Sequence, residues 1–419
     1  MAHHGGLRIL VLSPVLAYPP DWGFAQRVYQ LVRQLAARHR VSFLCYGRPE
    51  ERDHIAAMQA ICESVDVVPQ PPTAGLGKRR SQLASLISPI PYQTRRYHSA
   101  AMQAAIDRLA GQEPFDIIQV ESSQLSTFDY RGRGLLVIDE HNIEYELLQR
   151  MRQNERSPFF RLYYGLEYAK CLADEQRLWQ RAAGCLLTSA REEAILREHA
   201  PGTPTAVIPN GVDTDYFAPS EVSPDPDSIV FTGRIGYRPN ADAVVYFVRE
   251  ILPHILRARP RATVTVVGGQ VPSEVARLAG PNVVVTGAVP DVRPYVARAG
   301  VCVVPLRVGS GTRLKVLEGL AMGKAMVSTS LGCEGIPVRG GEHLLIGDEP
   351  ETFARQVVRA LDDQDLARAL GRSGRALVET TFAWEIVGQQ LADFYAELLP
   401  ARGPAPVAAA VGASAVASS

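Results

Sequence analysis

The runs LRILVLSP (7–14), VSFLCYG (41–47), FDIIQVE (115–121), GLLVIDE (134–140), GCLLTS (184–189) and TAVIPNG (205–211) are apolar on successive positions, not on alternate ones. A strand with one wet face alternates. A strand apolar throughout is covered on both faces, as in a parallel sheet layered between helices. AQRVYQLVRQLAARH, which follows the first run, supplies the helix of a β–α–β unit. After DTDYFAPSEVSPDPD (213–227), rich in Pro, Asp and Ser, the alternation resumes with SIVFTGR (228–234), ATVTVVGG (262–269), NVVVTG (282–287), VCVVPL (301–306) and AMVST (325–329). The expectation is an α/β chain of two tandem doubly wound Rossmann-like domains, 1–212 and 228–381, joined by a linker at 213–227. Its 419 residues suffice for two cores. FAWEIVGQQLADFYAELL forms a last amphipathic helix within 382–400, and 401–419, small and almost uncharged, is expected to be disordered.

Ligands of doubly wound sheets sit at the carboxyl ends of the strands, and two such sheets make a cleft between them. VGSGTRLKVLEGLAMGKAMVSTS (308–330) belongs at such an end. Gly309, Ser310 and Gly311 precede a helix with Thr312 as its expected cap, and Arg313 and Lys315 add positive charge to the helix N-terminus. That combination suits a diphosphate. Glu318, one turn in, would repel phosphate but accept from ribose hydroxyls. The plainer reading, a solvated helix with a Lys315–Glu318 pair, leaves Gly309 and Gly311 without a duty. FTGRIGYRPNADA (231–243) repeats the layout with Gly233, Arg234 and Arg238, and a helix capped by Asn240 behind Pro239. In the first domain, VIDEHNIEYELLQR places His141 beyond a strand end, where Asp139, Glu140 and Glu144 would tend to raise its pKa. It is a candidate for a sugar-hydroxyl contact, or equally a structural histidine. PPDWGF offers Gly23 for close backbone approach.

Lys plus Arg equals Asp plus Glu at 44 each, so no overall field draws the chain to nucleic acid. Cysteines 45, 62, 171, 185, 302 and 333 show no metal-ligand spacing and read as buried thiols of a reducing compartment. No run approaches the roughly 20 apolar residues of a membrane span, and MAHHGGLRILVLSP lacks a signal-peptide layout. A cytoplasmic protein is expected. DTD (213–215) and DPD (225–227) resemble a carboxylate pair for a divalent ion but fall in the linker, so no metal site is assigned. GKRRSQLASLISPIPYQTRRYHS (77–99) mixes five basic residues with apolar ones, fit either for an anionic membrane or lipid-linked substrate or for a solvated loop. No G-x-G-x-x-G follows the first strand, which disfavours a dehydrogenase.

VIPNGVDTDYF, FTGRIGYRPNADA, GAVPDVRPYVARAGVCVVPL and GSGTRLKVLEGLAMGKAMVST, in this order, resemble the retaining nucleotide-sugar glycosyltransferases of family four, which have the GT-B fold. The DEHNIE stretch and the GSGTRLKVLE form are similar to their exopolysaccharide-type sugar transferase branch. The resemblance implies transfer of a sugar from a nucleotide-diphosphate donor to an acceptor hydroxyl with retained configuration. It implies an acceptor domain first, a donor domain second, and a last helix that packs back on the first. Arg313, Lys315 and Arg234 would hold the diphosphate, with Arg238 beside them, and Glu318 the ribose. The backbone from Gly309 through Ser310 and Gly311 to Thr312 would face phosphate and sugar, as would Gly233. His141 would contact the transferred sugar, Gly23 would pack against the donor, and residues 288–291 would lie along the base. No cofactor or metal is implied. The implied partners are a nucleotide sugar and a glycan, lipid-linked sugar or small-molecule acceptor, with peripheral contact at the inner membrane face left open. The sequence departs from the family at three points. Ser310 stands where a glutamate is common, Phe24 follows Gly23 where a second glycine is common, and Asn240 stands six residues after Arg234 where a lysine is common. A non-hydrolysing nucleotide-sugar epimerase of the same fold and a non-catalytic nucleotide-binding protein are the alternatives. The base, the sugar and the acceptor are not legible.

Overall fold

The computed structural model describes residues 6–48, 50–70, 85–86, 88–155, 157–309 and 313–399. Ser310, Gly311 and Thr312, most of the basic part of 77–99, and the tail at 401–419 lie outside the described residues. Seven parallel strands form the first sheet: β1 (Arg8–Ser13), β2 (Arg40–Gly47), β3 (Ser64–Pro69), β4 (Ile117–Glu121), β5 (Leu135–Glu140), β6 (Gly184–Leu187) and β7 (Thr205–Val207). Their order is β3-β2-β1-β4-β5-β6-β7. Six more form the second: β8 (Asp225–Thr232), β9 (Thr263–Val267), β10 (Val283–Gly287), β11 (Ala299–Val304), β12 (Met326–Ser328) and β13 (Leu345–Ile346), in the order β10-β9-β8-β11-β12-β13. Both orders reverse direction beside their first strand, where β1 meets β4 and β8 meets β11. The crevice at each reversal opens toward the other domain.

The apolar runs become strands buried on both faces: Ile9, Leu10, Val11 and Leu12 are fully buried, and Ile229 and Val301 likewise. β8 begins at Asp225, inside the stretch read as linker. The reason is tertiary: Asp225 pairs with Ala299, and Asp227 receives Arg259 at 2.8 Å, so the acidic residues extend the strand and do not loop out. The helix read as capped by Asn240 begins earlier, at Arg238, with Tyr237 in the cap position and no side-chain cap. It widens into a π-helical turn at Phe247–Ile251, then continues as Leu252–Ala258. Pro253, which has no N–H to give to a carbonyl four residues back, accounts for that break. All six cysteines are buried and free.

The last helix, Trp384–Leu398, leaves the second domain and packs on the first. Trp384, Val387, Leu391, Phe394 and Tyr395 join Ile9, Val11, Val28 and Leu31 in one apolar cluster. A Cβ on Gly388 would lie 2.7 Å from Gln34, and one on Gly184 would lie 2.7 Å from the Phe394 ring, so both glycines mark close approach. Trp384→Ala should therefore cost about 3–5 kcal/mol, the usual loss for a buried aromatic, read as a lower urea midpoint. A change below about 1 kcal/mol would show that the docking of this helix carries no weight in stability.

Candidate functional site

A cavity of ≈ 830 Å³ lies between the carboxyl ends of the two sheets. On the second-domain side it is lined by Gly233, Arg234, Gly309, Arg313, Lys315 and Glu318, and on the first-domain side by Gly23, Phe24, Gln124, His141, Asn142 and Glu144. Arg238 is exposed at the start of its helix and does not line the cavity, although Tyr237 and Pro239 on either side do. Residues 288–291 do not line it either, and Asp291 is held by the fork of Arg293 at 2.8 Å.

The helix behind the 308–330 stretch runs Leu314–Ala321, so Arg313 stands just before it, in the cap position but with no side-chain cap. Its apolar side is spent on the core through Val316, Leu317, Leu320 and Ala321, all fully buried. Lys315 and Glu318 therefore face the cavity. Among the described residues they form no ion pair. Lys315 Nζ instead donates to Asn240 Oδ1 at 2.7 Å and sits 4.1 Å above the Phe231 ring. Asn240 Nδ2 donates to the Arg234 carbonyl at 2.8 Å. The amide that sequence reasoning assigned to a helix cap is thus a brace between the two glycine loops. It stands where a lysine is common in the resembled family, and Lys315 brings an ammonium to it from the helix Leu314–Ala321.

Burial pushes the Lys315 ammonium down to about 7, with Arg313 adding to the effect and Glu318 opposing it. Burial likewise pushes the Glu318 carboxyl up to about 7 against the pull of Lys315. Arg313 is buried, and its pKa is lowered chiefly by that burial. Lys315, held in this wall by an amide oxygen and a ring face, keeps its charge for an anion to neutralise. Gly233, at φ +143, makes room for it: a Cβ there would lie 2.8 Å from Lys315 Nζ. Arg234 is exposed at the rim, its Nε donating to Gln270 Oε1 at 2.9 Å. Gln270, a non-glycine at φ +57 in the loop after β9, was not singled out from sequence.

On the facing wall, His141 Nε2 lies 2.8 Å from Glu121 Oε2 and 3.7 Å from Asp139 Oδ2. Its nearest carboxylate is thus on β4, and of the three acidic residues close in sequence Asp139 is also within ion-pair distance. Glu140 turns away to accept from Trp179 Nε1 at 2.8 Å, and Glu144 accepts from Gln124 Nε2 at 2.9 Å. Burial, and then the negative Asp139, raise the Glu121 carboxyl above its ordinary range. Behind it Gln119 Nε2 donates to Glu121 Oε1 at 2.5 Å, and Tyr395 of the last helix donates to Gln119. The imidazole plane is set by stacking: Phe24 lies 4.2 Å from it, and Trp22 stacks on Phe24 at 5.4 Å.

Glu121, Asp139 and His141 bring ligand atoms within 4.8 Å of one another, a spacing compatible with a metal ion. Asp139 is already forked by Arg27, with Nε at 2.9 Å and Nη2 at 2.7 Å, and that buried guanidinium puts a fixed positive charge against the trio. The two Asp-x-Asp stretches are structural. Asp213 Oδ1 accepts from the Tyr216 N–H at 2.8 Å and closes a turn, and Asp227 belongs to Arg259.

Residues 23–216 match the model described as Glycosyltransferase Family 4, and residues 226–363 the model described as Glycosyl transferases group 1. The D-inositol 3-phosphate glycosyltransferase of Streptomyces bingchenggensis is 28% identical over 259 residues, 55% of this chain and 56% of that protein. A GDP-mannose-dependent monoacylated alpha-(1-6)-phosphatidylinositol monomannoside mannosyltransferase of Corynebacterium glutamicum is 26% identical over 44% of this chain and 54% of its own length. The chain thus spans about half the length of these two curated relatives. Among solved structures, sucrose-phosphate synthase from Thermosynechococcus elongatus superposes with a TM-score of 0.67 at 20% identity, covering 93% of this chain and 99% of that one. Anabaena HepE in complex with UDP-glucose gives 0.63 at 13% identity, covering 93% and 100%. At such identities the superpositions speak for the fold. With one domain matched by each glycosyltransferase model and the two facing sheets matched over nearly their whole length, this chain belongs to the family-four glycosyltransferases of the GT-B fold.

Proposed function

We propose that the chain moves a sugar from a nucleoside-diphosphate donor to an acceptor hydroxyl with retention of anomeric configuration. The observation that carries this reading is Lys315, turned from Glu318 toward Asn240 and the Gly233 loop, on the wall of the cleft that Arg234 and Arg313 also line. Arg313 and Lys315 would hold the diphosphate and stabilise it as it departs, with Arg234 at the rim. Glu318 would take the ribose hydroxyls, and Gly23 and Gly309 would let backbone come close. His141, held by Glu121 and Phe24, would contact the sugar near its reacting carbon. A relative is GDP-mannose-dependent and a structural neighbour was solved with UDP-glucose, so both are fair probes. Among the described residues no helix is long and apolar enough to cross a membrane. Six free thiols fit a reducing cytoplasm.

Arg313→Ala or Lys315→Ala should weaken donor binding by about 1.5–3 kcal/mol, the worth of a charge-assisted hydrogen bond, measured as donor Kd on folded protein. Wild-type affinity in both variants would overturn the site. The pH dependence follows from Lys315. Its ammonium titrates at about 7 in the empty site, and a bound diphosphate favours the charged form and raises that value. Affinity for UDP-glucose or GDP-mannose should thus be full below pH 7 and fall as pH rises through it. Glu318 ionises in the same range with two opposed effects, repelling the diphosphate and accepting more strongly from ribose, so the slope is tested at Lys315. Lys315→Met should flatten the slope, and an unchanged slope would contradict the assignment.

Because side-chain cations and a helix N-terminus would do the neutralising, turnover should persist in EDTA. Complete loss, restored by magnesium or manganese, would reopen the question of a metal. An epimerase would convert donor alone, and a mere binding protein would never release nucleoside diphosphate from it.

Retention by double displacement needs a carboxylate at the anomeric carbon. Of the carboxylates that line the cavity, Glu144 is engaged by Gln124, Glu318 lies on the diphosphate side, and Asp21 is exposed in the first loop. We therefore expect front-face attack: an α-linked product from an α-linked donor, with no glycosyl adduct on intact-mass analysis. His141→Ala should slow turnover while leaving nucleoside diphosphate affinity nearly unchanged. A β-linked product seen by NMR would end this reading of the mechanism.

A further inference from the structure

Two helices after His141, Glu144–Asn154 and Pro158–Arg181, form an antiparallel hairpin whose outer face is unusually apolar. Leu147 and Met151, one turn apart, are exposed, and so are Phe159, Phe160, Leu162 and Leu166, with Leu162 at 77% and Phe159 at 65%. Positions 159, 162 and 166 share one helix face. Leu86 and Ile90 extend the same surface, because Lys170 Nζ donates to the Ser85 carbonyl at 2.8 Å and Glu167 accepts from the Tyr92 N–H at 2.7 Å. Single exposed apolar residues are ordinary, but eight exposed on one hairpin and the segment packed against it are not.

The exposed charges of this stretch have one sign. Among the described residues of 147–166, Arg152 and Arg161 are exposed, whereas Arg150 and Glu155 are half-buried and Arg150 lies 3.9 Å from Glu146. Glu155 is turned to accept from the Ser157 N–H at 2.8 Å. Among the described residues neither Arg152 nor Arg161 has an ion pair. A two-fold contact with a second copy would set these arginines against their own kind. An anionic lipid surface satisfies both the apolar side chains and the arginines. We propose that this hairpin face docks the protein on an anionic phospholipid membrane, with the aromatic pair Phe159 and Phe160 and Leu162 entering the interface.

The position of the surface bears on the reaction. Leu147 and Arg150 also line a second cavity of ≈ 490 Å³, which shares Gly23, Phe24 and His141 with the donor cleft. A hydroxyl carried at the membrane interface would reach His141 through it. Only this last link rests on the transferase reading.

The test uses the full chain with phosphatidylcholine vesicles, alone or with an equal part of phosphatidylglycerol, in a flotation assay. Wild-type protein should float with the anionic vesicles, less so as salt rises, and scarcely with phosphatidylcholine alone. Changing Phe159, Phe160 and Leu162 together to Ser should reduce binding by about tenfold or more. Arg152→Glu with Arg161→Glu should remove the salt-dependent part. The changed residues are exposed, so stabilisation by UDP in a thermal-shift assay should match wild type and shows that the variants are folded. No flotation, or flotation equal in the Ser variant, overturns the proposal. So does a concentration-dependent dimer in light scattering that the same Ser changes abolish, since it would give the face to a second copy. Loss of nucleotide stabilisation in the wild type would sink the transferase reading and leave the membrane result standing.

Discussion

One buried guanidinium holds the first domain's half of the cleft in place. Arg27 is 1% exposed, forks Asp139 through Nε and Nη2, and donates from Nη1 to the Ile208 carbonyl at 2.8 Å and to Asn210 at 3.3 Å. Its helix begins at Gly23, Asp139 stands two residues before His141, and Asn210 leads out toward the second domain. A single side chain thus fixes the glycine loop, the histidine and the exit strand relative to each other. Such a pair adds little net stability over an apolar replacement, but loss of one partner leaves a bare buried charge. Its contribution is registration: the three segments, which border the two neighbouring cavities, cannot drift separately.

The second domain solves the opposite problem. It must keep positive charge partly desolvated and available, without a carboxylate that would satisfy it. Asn240 does this by neutral contact, orienting Lys315 through its carbonyl oxygen while its amide nitrogen bonds the Arg234 carbonyl. An aspartate in the same place would have formed an ion pair and competed with a diphosphate. Phe231 beneath the ammonium helps through its ring face, again without a negative charge. The low Lys315 pKa is the counterpart of this arrangement: the group is ready to become fully charged when an anion arrives.

Much of the fold was legible because both sheets are parallel and covered, which writes their strands as unbroken apolar runs. β3 at the sheet edge, with only Val68 fully enclosed, and the two-residue β13 carry no such signature. The glycine loops and their cations were legible from spacing. Their bracing was not, since an Asn behind a proline at a helix start has a good local reading as a cap, and only the placement of Lys315 gives it another. The partner of His141 was hidden for a different reason. Parallel register sets Glu121 beside Asp139 across β4 and β5, so the nearest carboxylate comes from 20 residues away and the adjacent Glu140 points to Trp179. The hairpin at 144–181 escaped because an apolar outer face blurs the periodicity by which a helix is recognised.

The departure at Phe24 falls into place on the same terms. Gly23 lies where the first loop faces the helix Leu314–Ala321: a Cβ there would make ordinary contact with Leu314 at 3.7 Å, so what the glycine keeps free is the room a longer side chain would take from the cleft. A second glycine would leave His141 with no neighbour on that side. Phe24 instead turns inward and stacks on the imidazole, with Trp22 behind it, while Glu121 fixes the ring edge. The histidine is thereby held in plane by aromatic faces and in direction by a carboxylate. That stack also narrows the cleft beside His141, so on the proposed reading the hydroxyls of a sugar there would meet an aromatic edge where a second glycine would offer backbone. Sugar choice in this chain is therefore expected to be set on the first domain's wall as much as at the donor helix.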